Sequence, residues 1–368
     1  MAVQFHKLTV AEVRRETPDA IAITFTVPHE LLPVFQYKTG QYLTVRMEVD
    51  GVSHRRNYSL CSSPFFDEPL TIAVKRVNDG VVSSWLNEGV KAGDVIEVYP
   101  PMGNFTKELS AQHAKHYVLF GGGSGITPLM SILKSILRVE PNSKVTLFYA
   151  NRDRASVIFG EQLRSIEQAN DCALTVVHVL ESPGILEATG VAEAQQGALN
   201  TAAVITGVMD RSTVEGLLQK IERNSDTEYF VCGPQGMMDS VMSVLKDKGI
   251  DDKHIHREYF TLEKTAMETP PVVDEVKTHS VTIKLYGKQH TFDVQPDETI
   301  LSAAQRENLD PPYACQIGAC CTCRARILSG KVVMDEREAL SDDEIAEGYV
   351  LTCQSHPVTA GVVADYDQ

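Results

Sequence analysis

Four of the eight cysteines in this 368-residue chain lie within the nine residues of the segment CQIGACCTC. Four residues separate Cys315 from Cys320, two separate Cys320 from Cys323, and Cys353 follows after 29 more residues. Three sulfurs that converge from one short segment require a tightly wrapped backbone, which neither a helix nor a strand provides. Gly318 lies inside the segment and supplies conformational freedom where a side chain would crowd the wrap. The segment therefore predicts a loop built around a bound centre.

The cysteine spacing is typical of four thiolates around a plant-type [2Fe–2S] cluster. A zinc site or free thiols are the alternatives, but zinc sites favour paired C-x2-C units and this chain has one such unit. Cys321 does not fit the ligand spacing and is expected to be a small buried filler or a spare ligand. Cys61 and Cys172 are expected to be ordinary buried thiols. The predicted cluster ligands are Cys315, Cys320, Cys323 and Cys353.

Composition narrows the class of protein. No apolar run approaches the roughly 20 residues that a membrane span needs, and the first segment lacks a secretory signal, so we expect a soluble cytoplasmic protein. A net charge of −15 argues against a nucleic-acid partner. From Val272 to the end, 16 acidic residues stand against 8 basic ones. This excess serves solubility or offers a docking face to a basic protein partner.

The chain divides into three predicted domains. Residues 1–108 contain short alternating strands with turn residues between them, which favours an antiparallel barrel or sandwich. Residues 109–262 alternate apolar strands with helices, which indicates a doubly wound parallel α/β sheet. Residues 263–277 are interpreted as a linker because they contain adjacent prolines and no periodicity. Residues 278–368 contain a predicted hairpin around Gly287, a helix in ETILSAAQREN and the cysteine loop.

Two glycine-containing segments follow predicted strands in the second domain. In HYVLFGGGSGITPLM, Gly123 and Gly125 would let the backbone approach a phosphate, and Thr127 is expected to cap the helix before Pro128. Taken alone, this turn fits plain strand-to-helix geometry equally well. In FVCGPQGMM, the segment Cys232–Pro234 ends a later strand, at the edge where parallel sheets bind ligands.

Two segments of the first domain also carry polar residues suited to a cofactor. In RRNYSL, Arg56 could neutralise a pyrophosphate, Tyr58 could stack on a flat ring and Ser59 could hydrogen-bond a flavin ring atom. In NDGVVSSWL, the start of a predicted helix offers a second phosphate cradle, and Trp85 is expected to be a core residue. The residues of this second cradle are Gly80, Ser83 and Ser84.

In their order, these motifs resemble those of the ferredoxin–NADP reductase superfamily, whose members join an FAD-binding β-barrel to a nicotinamide-binding α/β domain. The matching signatures are Arg-x-Tyr-Ser, Gly-x-x-Ser, Gly-x-Gly-x-x-Pro and Cys-Gly-Pro, and REYF matches the end of the module. The final segment, with its helix, PYAC entry and C-x-x-G-x-C loop, resembles a plant-type ferredoxin domain of β-grasp fold. The order of the three modules resembles that of the reductase components of bacterial multicomponent oxygenases, such as phenylacetyl-CoA epoxidases and ketosteroid hydroxylases.

The resemblance implies a role for each candidate residue. Ser59, Cys232 and Glu258 are expected to shape the hydride-transfer site, and Phe260 to cover the flavin face. The residues expected to bind FAD are Arg56, Tyr58, Ser59, Ser83 and Ser84, and Leu60, Lys75 and Gly80 are further cofactor-binding candidates. The residues expected to bind the nicotinamide dinucleotide are Gly123, Gly125, Thr127, Arg152, Cys232, Gly233 and Pro234.

These cofactors predict a direction for the electrons. A nicotinamide delivers two electrons as one hydride, a cluster accepts one at a time, and a flavin can mediate between them. The expected path runs from NADPH or NADH to FAD, to the [2Fe–2S] cluster and then to a protein acceptor. An epoxidase-like oxygenase component is the expected acceptor, a Rieske-type hydroxylase is the alternative, and a redox-sensing protein is a rival. Arg152 would favour a 2′-phosphate and Asp153 a 2′-hydroxyl, so the nucleotide preference stays open.

Overall fold

The computed structural model describes residues 4–182, 203–260 and 277–368. These residues form two six-stranded sheets, one five-stranded sheet and a two-stranded ribbon. No described strand or helix crosses the predicted domain boundaries, which themselves stay predictions. Residues 261–276, which include nearly all of the predicted linker, lie outside the described residues.

The first sheet is antiparallel, with the strand order β4-β3-β6-β1-β2-β5. A bridge between Leu60 and Ile72 joins the end of β4 to β5 and brings the two edges of the sheet together. Alternate residues such as Ile21, Ile23 and Phe25 fill a closed apolar core. The predicted antiparallel barrel is therefore confirmed. Its elements are β1 (His6–Thr17), β2 (Ala20–Thr26), β3 (Tyr42–Val49), β4 (Val52–Ser59), β5 (Thr71–Lys75), α1 (Val81–Gly89) and β6 (Val95–Met102).

The second sheet is parallel, with the order β10-β9-β8-β7-β11-β12. Successive residues of β7 point to opposite faces, so Leu119 packs with α2 and α3 while Phe120 packs with α4 and α5. Both faces are buried under helices, which confirms the doubly wound prediction. The elements are β7 (His116–Gly122), α2 (Ile126–Val139), β8 (Lys144–Asn151), α3 (Gly160–Ala169), β9 (Leu174–Leu180), β10 (Ala203–Thr206), α4 (Arg211–Leu218), β11 (Glu228–Cys232), α5 (Gln235–Asp247) and β12 (Ile255–Glu258).

The third sheet is mixed, with the order β14-β13-β19-β15-β17. The first hairpin turns at Gly287 with φ +74°, as predicted. Thr299 caps the following helix by accepting a hydrogen bond from the backbone of Ser302. The elements are β13 (His279–Leu285), β14 (Lys288–Val294), α6 (Ile300–Arg306), β15 (Arg324–Ser329), β16 (Val332–Met334), α7 (Asp342–Ala346), β17 (Tyr349–Leu351), β18 (Ser355–Pro357) and β19 (Val362–Asp365).

Three local predictions are wrong. Helix α2 begins at Ile126 with Gly125 as its N-cap residue, so Thr127 lies inside the first turn and does not cap it. Cys172 is exposed, because it lies in the turn before β9. Trp85 is 38% exposed, since the inward face of α1 is occupied by Val82 and Leu86. In the described parts of the chain, no helix is long and apolar enough to cross a membrane.

Candidate cofactor and electron-transfer sites

Three of the candidate segments meet at the carboxyl edge of the parallel sheet. Strand β11 lies between β7 and β12, and its last residue, Cys232, pairs with Gly121 on one side and Glu258 on the other. The glycine turn, the Cys-Gly-Pro segment and the end of β12 therefore lie side by side. This is the edge at which open parallel sheets bind their ligands.

The glycine turn and the Cys-Gly-Pro segment touch through their backbones. A Cβ atom on Gly125 would lie 2.0 Å from the carbonyl oxygen of Cys232, and one on Gly122 would lie 2.6 Å from Cδ of Pro234. Gly123 adopts φ +51° and keeps partial access to solvent. The turn thus needs glycine for packing, and it leads into the N-terminus of the 14-residue helix α2. Unpaired N–H groups and the helix dipole favour an anion there, which fits a pyrophosphate.

The Thr127 side chain stabilises this turn through a hydrogen bond to the turn backbone. Its side chain is 2% exposed, and its Oγ1 atom donates a 2.8 Å hydrogen bond to the carbonyl oxygen of Ser124. A ligand contact by the Thr127 hydroxyl stays a prediction. Ser124, which the sequence motifs did not single out, is partly exposed beside Gly123. The side chain better placed to meet a phosphate at this turn is therefore Ser124.

The predicted hydride-transfer residues come together from two domains. Ser59 ends β4 in the barrel, is 3% exposed, and its Oγ donates a 3.0 Å hydrogen bond to Oε2 of Glu258. Burial raises the pKa of Glu258 to about 8, against a smaller lowering by the Ser59 hydrogen bond. Cys232 is fully buried, and burial together with the nearby Glu258 raises the pKa of its thiol well above the ordinary value. The site therefore presents an uncharged thiol and a protonatable carboxyl group at neutral pH.

Two flavin-binding candidates on β4, Arg56 and Tyr58, lie on the same face of the strand. Arg55 is buried while its neighbour Arg56 is exposed, so Arg56 keeps its charge available to an anion. Tyr58, two residues further, projects on the same side as Arg56. A guanidinium and a flat ring on one face suit the pyrophosphate and ring system of FAD.

Two serines at the start of helix α1 differ in their hydrogen bonding and exposure. Ser83 Oγ accepts a 3.1 Å hydrogen bond from the Val77 N–H and donates a 3.2 Å bond to the Gly80 carbonyl. The Ser83 hydroxyl therefore already donates one hydrogen bond and accepts another within this turn. Ser84 is partly exposed and is the freer hydroxyl at this helix start.

Lys75 and Leu60 occupy contrasting positions. Lys75 ends β5, and its Nζ atom lies 3.4 Å from where a Cβ atom of Gly123 would stand. This places a cation beside the glycine turn, which fits a bound phosphate. The Leu60 side chain is fully buried in the barrel core and its N–H donates to Gln41, so a cofactor contact would have to come from other backbone atoms of Leu60.

The residues after β8 bear on the choice of nucleotide. Asp153 accepts hydrogen bonds from the N–H and Oγ of Ser156 at 2.9 Å and 2.7 Å, so its carboxylate is engaged within its own turn. The Arg152 side chain is 64% exposed and its Nη2 atom lies 3.1 Å from Oδ2 of Asp19, a barrel residue. Asp19 also lies 3.9 Å from Nζ of Lys75. An accessible cation thus stands where the adenosine ribose is expected, with a carboxylate beside it.

The four spaced cysteines form a group. The sulfurs of Cys315 and Cys320 lie 3.1 Å apart, and the Cys353 thiol interacts with those of Cys315 and Cys323. All four thiols are free of disulfides. Gly318 turns the loop with φ +77°, and a Cβ atom there would lie 2.5 Å from Cγ of Glu336.

A single metal ion and a [2Fe–2S] cluster require different arrangements of their ligands. Across residues 4–182, 203–260 and 277–368, no group of three or more His, Cys, Asp and Glu side chains is arranged to hold one metal ion. A [2Fe–2S] cluster binds two pairs of thiolates on two irons, so four sulfurs need not converge on one point. The Cys321 side chain points instead to the Tyr42 hydroxyl, 3.3 Å away. This donor set fits the cluster, and Cys321 fits the role of a buried filler.

A cleft of about 200 Å³ is lined both by Glu258, one of the predicted hydride-transfer residues, and by residues of the cysteine loop. Its lining includes Glu258 and Tyr259 from the end of the parallel sheet, Tyr42 from the barrel, and Cys320 and Cys321 from the loop. The cleft lies where the barrel, the parallel sheet and the cysteine loop meet.

Phe260 follows Tyr259 and is 41% exposed. Its predicted position over the flavin stays a prediction.

Family models match all three domains. An oxidoreductase FAD-binding domain matches residues 7–107, an oxidoreductase NAD-binding domain matches residues 119–243, and a 2Fe-2S iron–sulfur cluster binding domain matches residues 283–358. The chain is an oxidoreductase whose cofactors are FAD, a [2Fe–2S] cluster and NAD(P)H.

Relatives match over nearly the whole chain. A component of the 1,2-phenylacetyl-CoA epoxidase from Escherichia coli K12 is 34% identical over 99% of this chain and 98% of its own length. The ferredoxin reductase component of 3-ketosteroid-9-alpha-monooxygenase from Rhodococcus rhodochrous is 38% identical over 96% of this chain and 94% of its own length. The solved structure of phthalate dioxygenase reductase is 24% identical, covers 98% of both chains and has a TM-score of 0.56, which supports the fold.

The fold and the matching domains define a flavin- and iron–sulfur-dependent, NAD(P)H-linked reductase. The chain belongs to the family that contains the reductase components of multicomponent oxygenases.

Proposed function

We propose that this chain transfers electrons from NAD(P)H to the oxygenase component of a multicomponent oxygenase. When bound, FAD accepts a hydride and releases its electrons singly, and the cluster carries one electron at a time. The single observation that carries the proposal is the cleft that Glu258 and the predicted cluster ligand Cys320 both line.

The residues of this chain would position the reactants and exclude water. The backbone turn at Gly123, with Lys75 beside it, would hold the dinucleotide phosphates. Cys232 and Glu258 would border the nicotinamide ring, and Ser59 would hold the Glu258 carboxyl group in place through its hydrogen bond. The four cysteines would hold the cluster against the barrel, so that its loop faces the cleft.

An anaerobic titration tests the electron path. We expect NADPH or NADH to bleach the flavin absorbance first, and the cluster absorbance and its electron paramagnetic resonance signal to change next. In Cys323→Ser, we expect flavin bleaching to continue without a cluster signal. Wild-type protein whose flavin bleaches while its loaded cluster stays oxidised would contradict the proposal.

The proposed acceptor is an oxygenase like that of the phenylacetyl-CoA epoxidase system, supported by the relative from Escherichia coli. A ketosteroid-type hydroxylase is the second candidate, favoured by the 38% identity to the component from Rhodococcus rhodochrous. Reconstitution with each oxygenase decides between them, because only the cognate oxygenase should couple NAD(P)H oxidation to product formation.

We further propose that the acceptor docks beside Cys315, on the acidic third domain. Of the four predicted ligands, Cys315 alone is partly exposed, and Gln316 next to it is exposed. Glu336 packs against Gly318 at this edge of the loop. A charge reversal, Glu336→Lys, should slow electron delivery to the acceptor, whereas Glu12→Lys on the barrel makes the same charge change and should not. Equal effects of the two variants would contradict this docking site.

A further inference from the structure

Tyr42 is the first residue of β3 and is 5% exposed. In the β3–β4 ladder it stands directly opposite Ser59. Directly opposed residues of an antiparallel pair project to the same side of the sheet. One of this pair, Ser59, contacts the hydride-transfer carboxyl group, while the other, Tyr42, contacts the loop that carries the cluster ligands.

The contacts of Tyr42 with that loop are specific. Its hydroxyl oxygen accepts a 3.2 Å hydrogen bond from the N–H of Cys321 and lies 3.2 Å from Oγ1 of Thr322. These two residues separate the predicted ligands Cys320 and Cys323. The Tyr42 hydroxyl therefore contacts the loop between two of the predicted cluster ligands.

A set of donors that leaves no hydroxyl proton unpaired exists for the neighbouring hydroxyls. Thr44 donates its only hydroxyl proton to Oδ1 of Asn57 at 2.7 Å, so in the 3.3 Å contact between Thr44 and Thr322 the donor is Thr322. Thr322 Oγ1 is then left to accept from the Tyr42 hydroxyl and from Nδ2 of Asn57 at 3.4 Å. Every hydroxyl proton in this group has an acceptor, and Thr44 and Thr322 are 0% and 1% exposed. Such a satisfied buried network fixes one arrangement, because a displaced loop would leave buried polar groups unpaired.

Charged contacts surround this network but do not replace it. Arg55 contacts Asp310 and donates a 3.0 Å hydrogen bond to the Pro311 carbonyl, and Arg257 pairs with Glu338 at 2.5 Å. These contacts hold the third domain against the other two. They involve residues outside the cysteine loop, so they do not set the position of Cys320 and Cys323 in the way that Tyr42 does.

From these contacts we propose that Tyr42 is a positioning residue for electron transfer: its hydroxyl fixes the cluster-bearing loop against the flavin-binding barrel. The inference rests on the proposed function and assigns Tyr42 no redox role of its own. Its ring packs against Gly103, where a Cβ atom would lie 3.0 Å from the ring, so the ring itself is fixed. Tyr42→Phe therefore removes the hydrogen bonds of the hydroxyl without leaving a cavity where the ring packs.

The test compares Tyr42→Phe with wild type as fully loaded protein, with Tyr37→Phe as the matched control. The Tyr37 hydroxyl donates a 2.8 Å hydrogen bond to Ser62, which keeps its polar contact within the barrel domain. We expect hydrogen exchange at the amides of residues 318–324 to rise about tenfold in Tyr42→Phe, since a buried N–H loses its partner. In anaerobic stopped-flow with NADPH or NADH, cluster reduction should slow, while flavin reduction should stay within about twofold of wild type. Tyr37→Phe should change neither the loop exchange nor cluster reduction.

Unchanged loop exchange and an unchanged rate of cluster reduction in Tyr42→Phe would overturn the inference. If Tyr42→Phe fails to fold or to bind FAD, Thr322→Val carries the test, because it removes the side-chain contact of the loop with the Tyr42 hydroxyl and leaves the tyrosine in place. Wild-type protein that never reduces its own cluster would contradict the proposed function instead. In that event the exchange comparison alone decides the role of Tyr42.

Discussion

Ser59 Oγ donates a 3.0 Å hydrogen bond to Oε2 of Glu258, although the two residues are 199 positions apart and belong to different sheets. The bond joins the flavin-binding barrel to the end of the parallel sheet. It also affects the ionisation of Glu258, because a donor to a carboxylate favours the charged form while burial favours the neutral form. Burial is the larger effect, and it raises the pKa of Glu258 to about 8.

The raised pKa of Glu258 predicts a pH-dependent stability. Its ordinary value is 4.5, so the folded protein holds this proton more tightly than the unfolded chain does. Between about pH 4.5 and pH 8 the unfolded state binds fewer protons, and the contribution of Glu258 to stability falls as pH rises. Above about pH 8 this contribution is constant.

The melting temperature of Glu258→Gln minus that of wild type should therefore increase as pH rises from 5 to about 8. Above that pH the difference should stay constant. Thermal unfolding at matched FAD loading measures it. In a Ser59→Ala background the levelling should move to higher pH, because the hydrogen bond that lowers the pKa is gone. A difference that is the same at pH 5 and pH 8 would contradict the prediction.

Cys232 lies between Gly121 and Glu258 in the strand register, so we expect its side chain to border the proposed hydride-transfer site. We expect Cys232→Ala to slow flavin reduction by NADPH or NADH by about tenfold or more, because small displacements of reacting groups are costly. Iron content should not change. Cys61→Ala is the matched control, since Cys61 is a buried thiol of the barrel domain, 5% exposed. Equal slowing in both variants would show that the effect is general destabilisation.

Local sequence patterns predicted the elements and their grouping, because each pattern is satisfied within one domain. The Cys315–Cys323 spacing, the hairpin at Gly287 and the strand–glycine–helix order all depend on neighbours in sequence. The start of helix α2 was misplaced because the close approach of Cys232 to Gly125 determines where the turn ends, and that contact is between distant segments.

Two of the contacts between domains could not be predicted. Tyr42 meets Cys321 across 279 positions, and Asp19 meets Arg152 across 133. Nothing in the local pattern around Tyr42 differs from an ordinary strand residue with its ring in a core. Asp19 sits in a short turn between β1 and β2, where an aspartate is expected for local reasons.

The close packing around Gly125 predicts that a larger residue at this position destabilises the protein. In Gly125→Ala, the new methyl group would lie 2.0 Å from the Cys232 carbonyl oxygen and 2.8 Å from the Gly233 nitrogen, both backbone atoms. We expect the free energy of unfolding to fall by about 1–3 kcal/mol and NAD(P)H binding to weaken. Gly216→Ala is the matched control: Gly216 lies in α4 with nothing within 4 Å of the added atom. It should stabilise the protein by about 0.5–1 kcal/mol, and denaturant unfolding of both variants checks the contrast.

Cys321 and Cys323 should differ in iron binding, although they are two residues apart. The Cys321 thiol faces Tyr42, whereas Cys323 interacts with Cys353. Cys321→Ala should therefore retain two irons and two sulfides per chain, and Cys323→Ala should lose most of both. Iron and sulfide analysis of anaerobically purified protein measures this. Loss of iron from Cys321→Ala would identify Cys321 as a ligand.

Asp19 should set the preference between the two nucleotides. Its carboxylate lies 3.1 Å from Arg152 and 3.9 Å from Lys75, so it competes with a 2′-phosphate for the Arg152 cation. Asp19→Asn should raise the ratio of kcat/KM for NADPH to that for NADH about fivefold, the size of an exposed ion pair near 1 kcal/mol. Arg152→Ala should lower the same ratio. In the double variant the gain from Asp19→Asn should vanish, because the cation that it frees is absent. A gain that persists in the double variant would show that Asp19 acts through some group other than Arg152.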